Sequence, residues 1–574
     1  MTTSLNNDKG SAVMQGAVDV VIVGAGWGGM YLLYRLRKAG FSVQVFETGS
    51  NVGGTWYWNR YPGARVDTPS VDYSFSFDEA LEQEWNWPEH YSTQPELERY
   101  ARHVAERFDL YRNIQFNTRV TSATYDAAAN RWTVGTEKGD SVTARYCILA
   151  TGGYAEPIKP GIPHLDRFKG ELYYTARFPK EKVSYAGKRV AVIGTGSSGM
   201  QTATQVASEG VGHLYVFQRT PNFSVPAHNK PMDDAYLRSV KATYRQRREQ
   251  ARHSGSGTIF PGPARPIADM SEEEFQAHMA HAWSLGGPAV LAALSDLVTS
   301  ERANARFADY IRDNIRKRVR DPDVAEQLLP DGHFVGERRT LIEDRYFEIY
   351  NQPNVTLVNV KRNPIEEFTP KGLRAGGKEY ELDMIILATG FDSGTGTILR
   401  IDIRGENGLT MKDKWSKEIY TYLGLMIGGF PNLFSVDGPG SPSIRSNMLA
   451  ACEQHGDLIV ELLQYARERD VSRIEVTHEA EEVWTQHVED LARATLLMRN
   501  VTQYCGGNVP GKLHRYLAYV GGLGRYREVC EGVRDRGYEG FVMTTPNGVL
   551  PSKRTWSGPS ANEGAKMRGE NTVI

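Results

Sequence analysis

Gly24, Gly26 and Gly29 follow the apolar run VDVVIV in the spacing G-x-G-x-x-G. That spacing suits phosphate: the first glycine makes a tight turn, the second lets backbone approach a pyrophosphate, and the third lets a helix pack closely on a strand. The helix that follows presents free N–H groups and a positive dipole end to the anion. Leu32, Leu33 and Leu36 recur behind it at helical spacing, and a second strand-like run, SVQVF, leads to Glu47. A carboxylate there hydrogen-bonds a ribose 2′-OH and repels a 2′-phosphate. The pattern returns in RVAVIGTGSSG, with Gly194, Gly196 and Gly199 interleaved by Thr195, Ser197 and Ser198. Here Gln218 stands in the place of Glu47, and Arg219 and Thr220 follow it. Losing the acid while gaining a guanidinium and a hydroxyl suits a 2′-phosphate. The first turn is therefore expected to take FAD or NAD, and the second NADP.

Both turns need a parallel sheet behind them, so the fold class is α/β with two Rossmann-like dinucleotide-binding domains. Two more apolar runs, YCILATGGY and DMIILATGFD, end alike in Ala-Thr-Gly and mark where the chain passes between those domains. Two dinucleotide domains in one chain imply a flavoprotein reduced by a pyridine nucleotide. The chain has 574 residues, and single cores rarely exceed roughly 250–300, which also requires several domains. The boundaries expected are a flexible tail at 1–17, a first FAD-binding segment at 18–160, an NADP-binding domain at 161–381, a second FAD-binding segment with the C-terminal region at 382–554, and a flexible tail at 555–574. Within 228–325 the glycine-and-strand pattern gives way to amphipathic runs such as DDAYLRSVKATYRQRREQARH and SEEEFQAHMAHAW, which read as a helical insertion in the NADP domain. Ser271 and Glu274 are placed for a capping box, and the basic run YRQRREQAR reads as a solvated helix face.

Composition narrows the function classes. The formal net charge of −2 offers no field for nucleic acid or anionic lipid. No apolar run approaches the ~20 residues that span a bilayer, and a cytoplasmic protein is expected. The four cysteines, Cys147, Cys452, Cys505 and Cys530, include no Cys-x-x-Cys or Cys-x4-Cys pair, which argues against a flavin disulfide reductase. No histidine pair has zinc spacing, so no metal is expected. Trp56, Trp58, Trp85 and Trp87 read mainly as core, with a cavity wall as the alternative for some.

With these residues in view, the chain resembles the Baeyer–Villiger monooxygenases over nearly its whole length. The resemblance rests on GGTWYWNRYPGARVDTPSVDYSFSF, GERRTLIEDRYFEIYNQPNV, GFPNLFSVDGPGSPSIRSNM and GGNVPGKLHRYLAYVGGLGRY. It implies a reaction in which NADPH reduces FAD, O2 gives a C4a-peroxyflavin, and one oxygen atom enters beside a ketone carbonyl to give an ester or lactone. It also implies that Arg339 is the fixed cation for the anionic species and that Asp67 holds it; by sequence neighbourhood alone, Arg339 would pair with Glu337, Glu343 or Asp344. By resemblance the FAD residues are Gly24, Gly26, Gly29, Glu47, Gly54, Thr55, Trp56, Asp67, Tyr73, Val120 and Met448. The NADP residues are Arg65, Gly194, Thr195, Gly196, Ser197, Ser198, Gly199, Gln201, Arg219, Thr220, Arg338 and Arg339. The partners implied are a small-molecule ketone and O2, in a monomer or small homo-oligomer.

Two departures stand out. The family signature Phe-x-Gly-x-x-x-His-x-x-x-Trp is met here by Phe168, Gly170, Tyr174 and Phe178, so histidine and tryptophan are both replaced. Gln503 and Tyr504 stand where the family has a tryptophan. The related heteroatom-oxidising flavin monooxygenases keep the histidine but end in Tyr or Phe, so an N- or S-oxygenase is the alternative. The signature segment is expected to be a linker into the NADP domain, with Tyr174 structural.

Overall fold

The computed structural model describes residues 16–261, 264–442, 445–553, 555, 556 and 558. The two expected tails fall almost wholly outside them.

Valine and isoleucine runs buried on both faces build parallel strands, because branched side chains fill the space between a sheet and its covering helices. Strand β1 (Val18–Val23), helix α1 (Trp27–Lys38) and strand β2 (Val43–Phe46) form the first βαβ unit, with Val20 opposite Val43. Strands β3 (Ile114–Gln115), β4 (Val120–Asp126), β5 (Arg131–Thr136) and β6 (Ser141–Leu149) extend it. Two late strands, β12 (Asp402–Arg404) and β13 (Leu433–Ser435), complete an eight-stranded sheet of order β12-β4-β5-β6-β1-β2-β3, in which β13 also pairs with β6.

The second sheet is five-stranded and wholly parallel. It contains β7 (Glu171–Tyr174), β8 (Arg189–Ile193), β9 (His213–Gln218), β10 (Val355–Asn359) and β11 (Met384–Leu387), in the order β10-β9-β8-β11-β7. Helix α2 (Ser197–Ser208) joins β8 to β9. This sheet corrects two expectations. The signature segment is no linker: Glu171–Tyr174 is an edge strand, with Tyr174 opposite Leu387. The boundary at 381/382 also falls one strand early, because Met384 pairs with Val190 and Leu387 with Ile193. An apolar run of four residues between turns does not reveal which of two sheets it joins.

The long helices of the expected insertion are α3 (Asp234–His253), α4 (Glu272–Leu285) and α5 (Glu301–Arg318). The capping box is present, since Ser271 Oγ accepts from the Glu274 N–H and the Glu274 carboxylate accepts from the Ser271 N–H. The helices divide between the halves. Phe275, Met279, Phe307 and Ile311 join the core of the second sheet, whereas Leu237, Val240 and Tyr244 of α3 join the core of the first. The basic run of α3 is a solvated face only in part: Arg245 and Glu249 are exposed, whereas Arg247 and Arg248 turn inward. Arg247 grips Asp72 through Nε and Nη2, both at 2.6 Å, and Arg248 donates to Glu82 at 2.8 Å. Charged residues at helical spacing look alike in sequence whether they face water or a buried acid.

The Asp72 side chain is 1% exposed. Breaking a buried pair by removing one partner leaves the other charge uncompensated and costs about 3–5 kcal/mol. Asp72→Ala is therefore expected to lower the urea midpoint of unfolding by a corresponding amount, whereas Glu249→Ala, on the exposed side of the same helix, should leave it within about 0.5 kcal/mol of wild type.

Among the described residues, no helix is long and apolar enough to cross a membrane, no cluster of three His, Cys, Asp or Glu could hold a metal, and all four cysteines are buried and unpaired.

Candidate active site

Residues from both sheets line one cavity of about 1250 Å³. The two glycine turns enter it with the same construction. Gly24 has φ +108, and a Cβ there would stand 2.4 Å from the Ala150 carbonyl oxygen. Gly194 has φ +105, and its Cβ would stand 2.4 Å from the Ala388 carbonyl oxygen. Ala150 and Ala388 open the two Ala-Thr-Gly segments, so each segment closes over the first glycine of its own turn. The third glycines point inward: a Cβ on Gly29 or Gly199 would lie 2.0 Å from the carbonyl of Gly24 or Gly194. These two do not line the cavity, as suits a role in helix–strand packing. Every other residue expected in the FAD and NADP sets does line it.

The residues present fit both dinucleotides. Neither α1 nor α2 has a side-chain cap at its N-terminus, so the first N–H groups of both helices are left for a ligand. Gly54, at φ +54, leaves the floor beneath Gly26 bare, where a Cβ would come within 2.7 Å of the Gly26 Cα. The Glu47 carboxylate is locked to the first turn, accepting from the Ala25 N–H at 2.8 Å and the Gly49 N–H at 2.6 Å. Burial pushes its pKa up, against the pull of these donors. In the second turn Gln218 is buried and donates to the Gln327 carbonyl at 2.8 Å. The mouth there carries Arg219, Thr220 and Arg338 instead. Burial, then the nearby charge of Arg219, lowers the pKa of Arg338, and the Arg338 Nε is buried without a hydrogen-bond partner. Two guanidinium groups facing one space, one of them unsatisfied, suit a dianionic phosphate.

At the centre, Arg339 forks onto Asp67 from a sequence distance of 272 residues, with Nε to Oδ2 at 2.6 Å and Nη2 to Oδ1 at 2.9 Å. The neighbouring acids are engaged elsewhere. Glu337 accepts from Asn500 and from the Phe334 N–H, and Glu343 pairs with Arg318 at 2.5 Å. Arg339 keeps 39% of its side-chain surface accessible, and it lines the cavity. The charge of Asp67 raises its pKa, outweighing burial, so the cation is permanent. Tyr154 and Tyr504 flank it closely enough to add to that shift.

Two NADP-set residues have other engagements. Arg65 donates to Glu89 and to the Tyr91 carbonyl, both at 3.2 Å. Gln201 on α2 accepts from Tyr61 at 2.9 Å and exchanges bonds with the Arg65 backbone, which ties the two halves together. Trp56 and Trp58 line the cavity, while Trp85 and Trp87 pack around Tyr100 in the core.

In the signature segment, Thr175 donates to Ser198 in the second turn at 3.3 Å, and Arg177 lies over the Trp58 ring at 4.4 Å. Tyr174 instead packs with Phe168 beside Leu387, in the core of the second sheet. Tyr174 does not line the cavity, so Tyr174→His is expected to change turnover less than about threefold, or roughly 0.7 kcal/mol in the barrier; a many-fold rise in turnover at unchanged NADPH affinity would show this position to be catalytic.

Sequence reasoning assigned no role to Asp437 or Cys452, which also line the cavity. A lone acid in a glycine-proline loop carries no pattern; only the fold, which sets the loop after β13 beside β6, brings it to the cavity.

The family model described as pyridine nucleotide-disulphide oxidoreductase matches residues 21–284. A Baeyer–Villiger monooxygenase of Pseudooceanicola batsensis is 38% identical over 91% of this chain and 96% of its own. A phenazine N-monooxygenase of Lysobacter antibioticus is 38% identical over 92% of this chain and 97% of its own. The solved structure of an oxidised steroid monooxygenase bound to NADP aligns with a TM-score of 0.88 at 44% identity, covering 92% of this chain and 99% of that one. The chain belongs to the Baeyer–Villiger monooxygenases, flavoproteins that use FAD and NADPH.

Proposed function

We propose that this enzyme inserts one oxygen atom of O2 beside the carbonyl of a small-molecule ketone, in the cytoplasm, and that Arg339 and Asp67 are its catalytic pair. The observation that carries the reading is the bidentate Arg339–Asp67 fork at the meeting of the two dinucleotide halves. Bound FAD, once reduced by NADPH, supplies the activated oxygen. The chain supplies the rest. The α1 N-terminus, Gly24, Gly26 and Gly54 receive the FAD pyrophosphate, and Glu47 accepts from its ribose. Thr55, Trp56, Tyr73, Val120 and Met448 wall the FAD side. The α2 N-terminus, with Thr195, Ser197 and Ser198, receives the NADP pyrophosphate, and Arg219, Thr220 and Arg338 hold its 2′-phosphate. Arg65 and Gln201 set the spacing between the two halves.

Arg339 offers N–H donors to a carbonyl oxygen as it gains negative charge. A guanidinium suits this because it stays protonated at any working pH and is already oriented before the charge develops. Asp67 fixes that orientation and keeps the fork from swinging away.

The resemblance to a phenazine N-monooxygenase favours one alternative, oxidation of a ring nitrogen or a sulfide. Incubation with NADPH and a mixed panel of cyclic and aryl ketones, a sulfide and a nitrogen heteroaromatic separates the two. Esters or lactones as the main products support the ketone reaction; sulfoxide or N-oxide alone would replace it with the alternative.

The nucleotide assignment has its own test. Charge-assisted hydrogen bonds contribute about 1.5–3 kcal/mol each. Arg219→Ala and Arg338→Ala are each expected to raise KM for NADPH roughly 10–100-fold while leaving KM for NADH within about threefold, as measured by steady-state oxidation of each nucleotide.

A further inference from the structure

The cavity wall carries an acid that takes no part in the chemistry of Arg339 and Asp67. Asp437 follows β13, where the chain runs beside β6 and the Val436 N–H donates to the Leu149 carbonyl at 2.9 Å. Its φ of +52 is left-handed, unusual for a residue with a Cβ. Its side chain is 7% exposed. The Cys452 thiol donates to Oδ2 at 2.9 Å. The other oxygen, Oδ1, is buried and accepts no hydrogen bond.

The groups packed around it cannot neutralise a charge. Cys452 and His455 reach it from α6 (Met448–Glu468), and Tyr526 reaches His455 from α7 (Leu523–Asp535). His455 Nδ1 lies 3.6 Å from Oδ1, but its lone pair already accepts from the Asp437 N–H at 2.9 Å. Its Nε2–H is thereby directed to the Tyr526 hydroxyl at 2.9 Å, and burial holds the imidazole neutral with a pKa of about 3. Burial likewise keeps the Cys452 thiol and the Tyr526 phenol protonated. Among the described residues, no Arg or Lys forms an ion pair with Asp437.

We propose that Asp437 acts as a protonated carboxylic acid that donates a hydrogen bond to bound FAD. This rests on the FAD reading of the first turn. The placement follows from the residues around it. Glu47 marks the ribose end and the α1 N-terminus marks the pyrophosphate. Asp437 lies beside that N-terminus, where a Cβ on Gly28 would come within 3.1 Å of the Cys452 sulfur and 3.2 Å of Val436 Cγ1, and it lines the same cavity. Burial lifts its pKa to about 7, so the proton it needs is present in mildly acidic solution. The acid must lose that proton as pH rises, and the hydrogen bond goes with it.

The sign of the pH effect tests this. Holoenzyme is diluted across pH 6 to 9 and released FAD is read by its fluorescence, alongside the visible spectrum of the bound fraction. The expected result for wild type is FAD release that rises with pH above about 7, approaching tenfold per pH unit. Asp437→Asn, which keeps a donor and cannot ionise, should hold FAD as tightly at pH 9 as at pH 6. Asp437→Ala should release more FAD at every pH, without the slope. Release that falls as pH rises would mean that an ionised carboxylate accepts from the cofactor, and would overturn the proposal, as would equal slopes in wild type and Asp437→Asn. Protein purified without any FAD would count against the first turn itself rather than against Asp437.

Discussion

Arg339→Ala is expected to remove ester formation almost completely while the protein still binds FAD and NADPH. The glycine turns and helix N-termini proposed to receive the two pyrophosphates do not depend on Arg339, so its contribution to NADPH affinity should be small beside its contribution to turnover. Removing one pre-oriented donor from a developing oxyanion costs about 10²–10³ in kcat, or roughly 2.7–4 kcal/mol. Arg339 offers more than one N–H, so the loss should sit at or above the upper end. Oxygen consumed in the variant should appear as hydrogen peroxide, measured with a peroxide-coupled dye. Arg339→Lys keeps the charge but not the fork onto Asp67, and should recover only part of the loss. Asp67→Ala should resemble Arg339→Lys, because the cation stays and its orientation does not. If Arg339→Ala kept ester formation within tenfold of wild type, the catalytic role would belong elsewhere.

The second large effect separates the two dinucleotide sites. Gly24→Ala and Gly194→Ala place the same atom in the same clash, 2.4 Å from the carbonyl oxygen of Ala150 or Ala388, at a backbone angle that alanine resists. A strained backbone of this kind costs about 1–3 kcal/mol before the clash is counted. Three kcal/mol is more than 100-fold in affinity, at roughly 1.4 kcal/mol per tenfold. Gly194→Ala should purify yellow and show a KM for NADPH raised up to roughly 100-fold. Gly24→Ala should purify with little or no bound FAD and show no flavin absorbance. The reverse pattern, a colourless Gly194→Ala and a yellow Gly24→Ala, would exchange the assignments of the two turns.

Legibility in the sequence followed physical range. The glycine turns, the contrast between Glu47 and Gln218, and the two Ala-Thr-Gly runs are local, because a turn, a helix and two strands leave their periods within about thirty residues. What the periods could not say is that each Ala-Thr-Gly run covers one particular glycine. The Arg339–Asp67 fork spans 272 residues, and no spacing rule joins such positions; only the family resemblance brought them together. The signature segment was misplaced because an edge strand of four residues has too few side chains to establish a period. Arg247 and Arg248 were misread because their acids, Asp72 and Glu82, lie far off in sequence and no charge pattern points to them. Asp437 was invisible as a functional residue: its character comes from burial and from a neutral histidine and thiol contributed by another helix.

On this mechanism one atom of O2 enters beside a ketone carbonyl at Arg339. The direct measurement is a single turnover of the purified holoenzyme with NADPH, heavy-isotope O2 and a cyclic ketone, with wild type and Arg339→Ala run in parallel and the products read by mass spectrometry. The expected result for wild type is a lactone carrying one heavy oxygen in the ring, and for the variant no labelled lactone. Heavy oxygen appearing only in hydrogen peroxide with the wild-type enzyme, or labelled lactone formed equally by the variant, would contradict it.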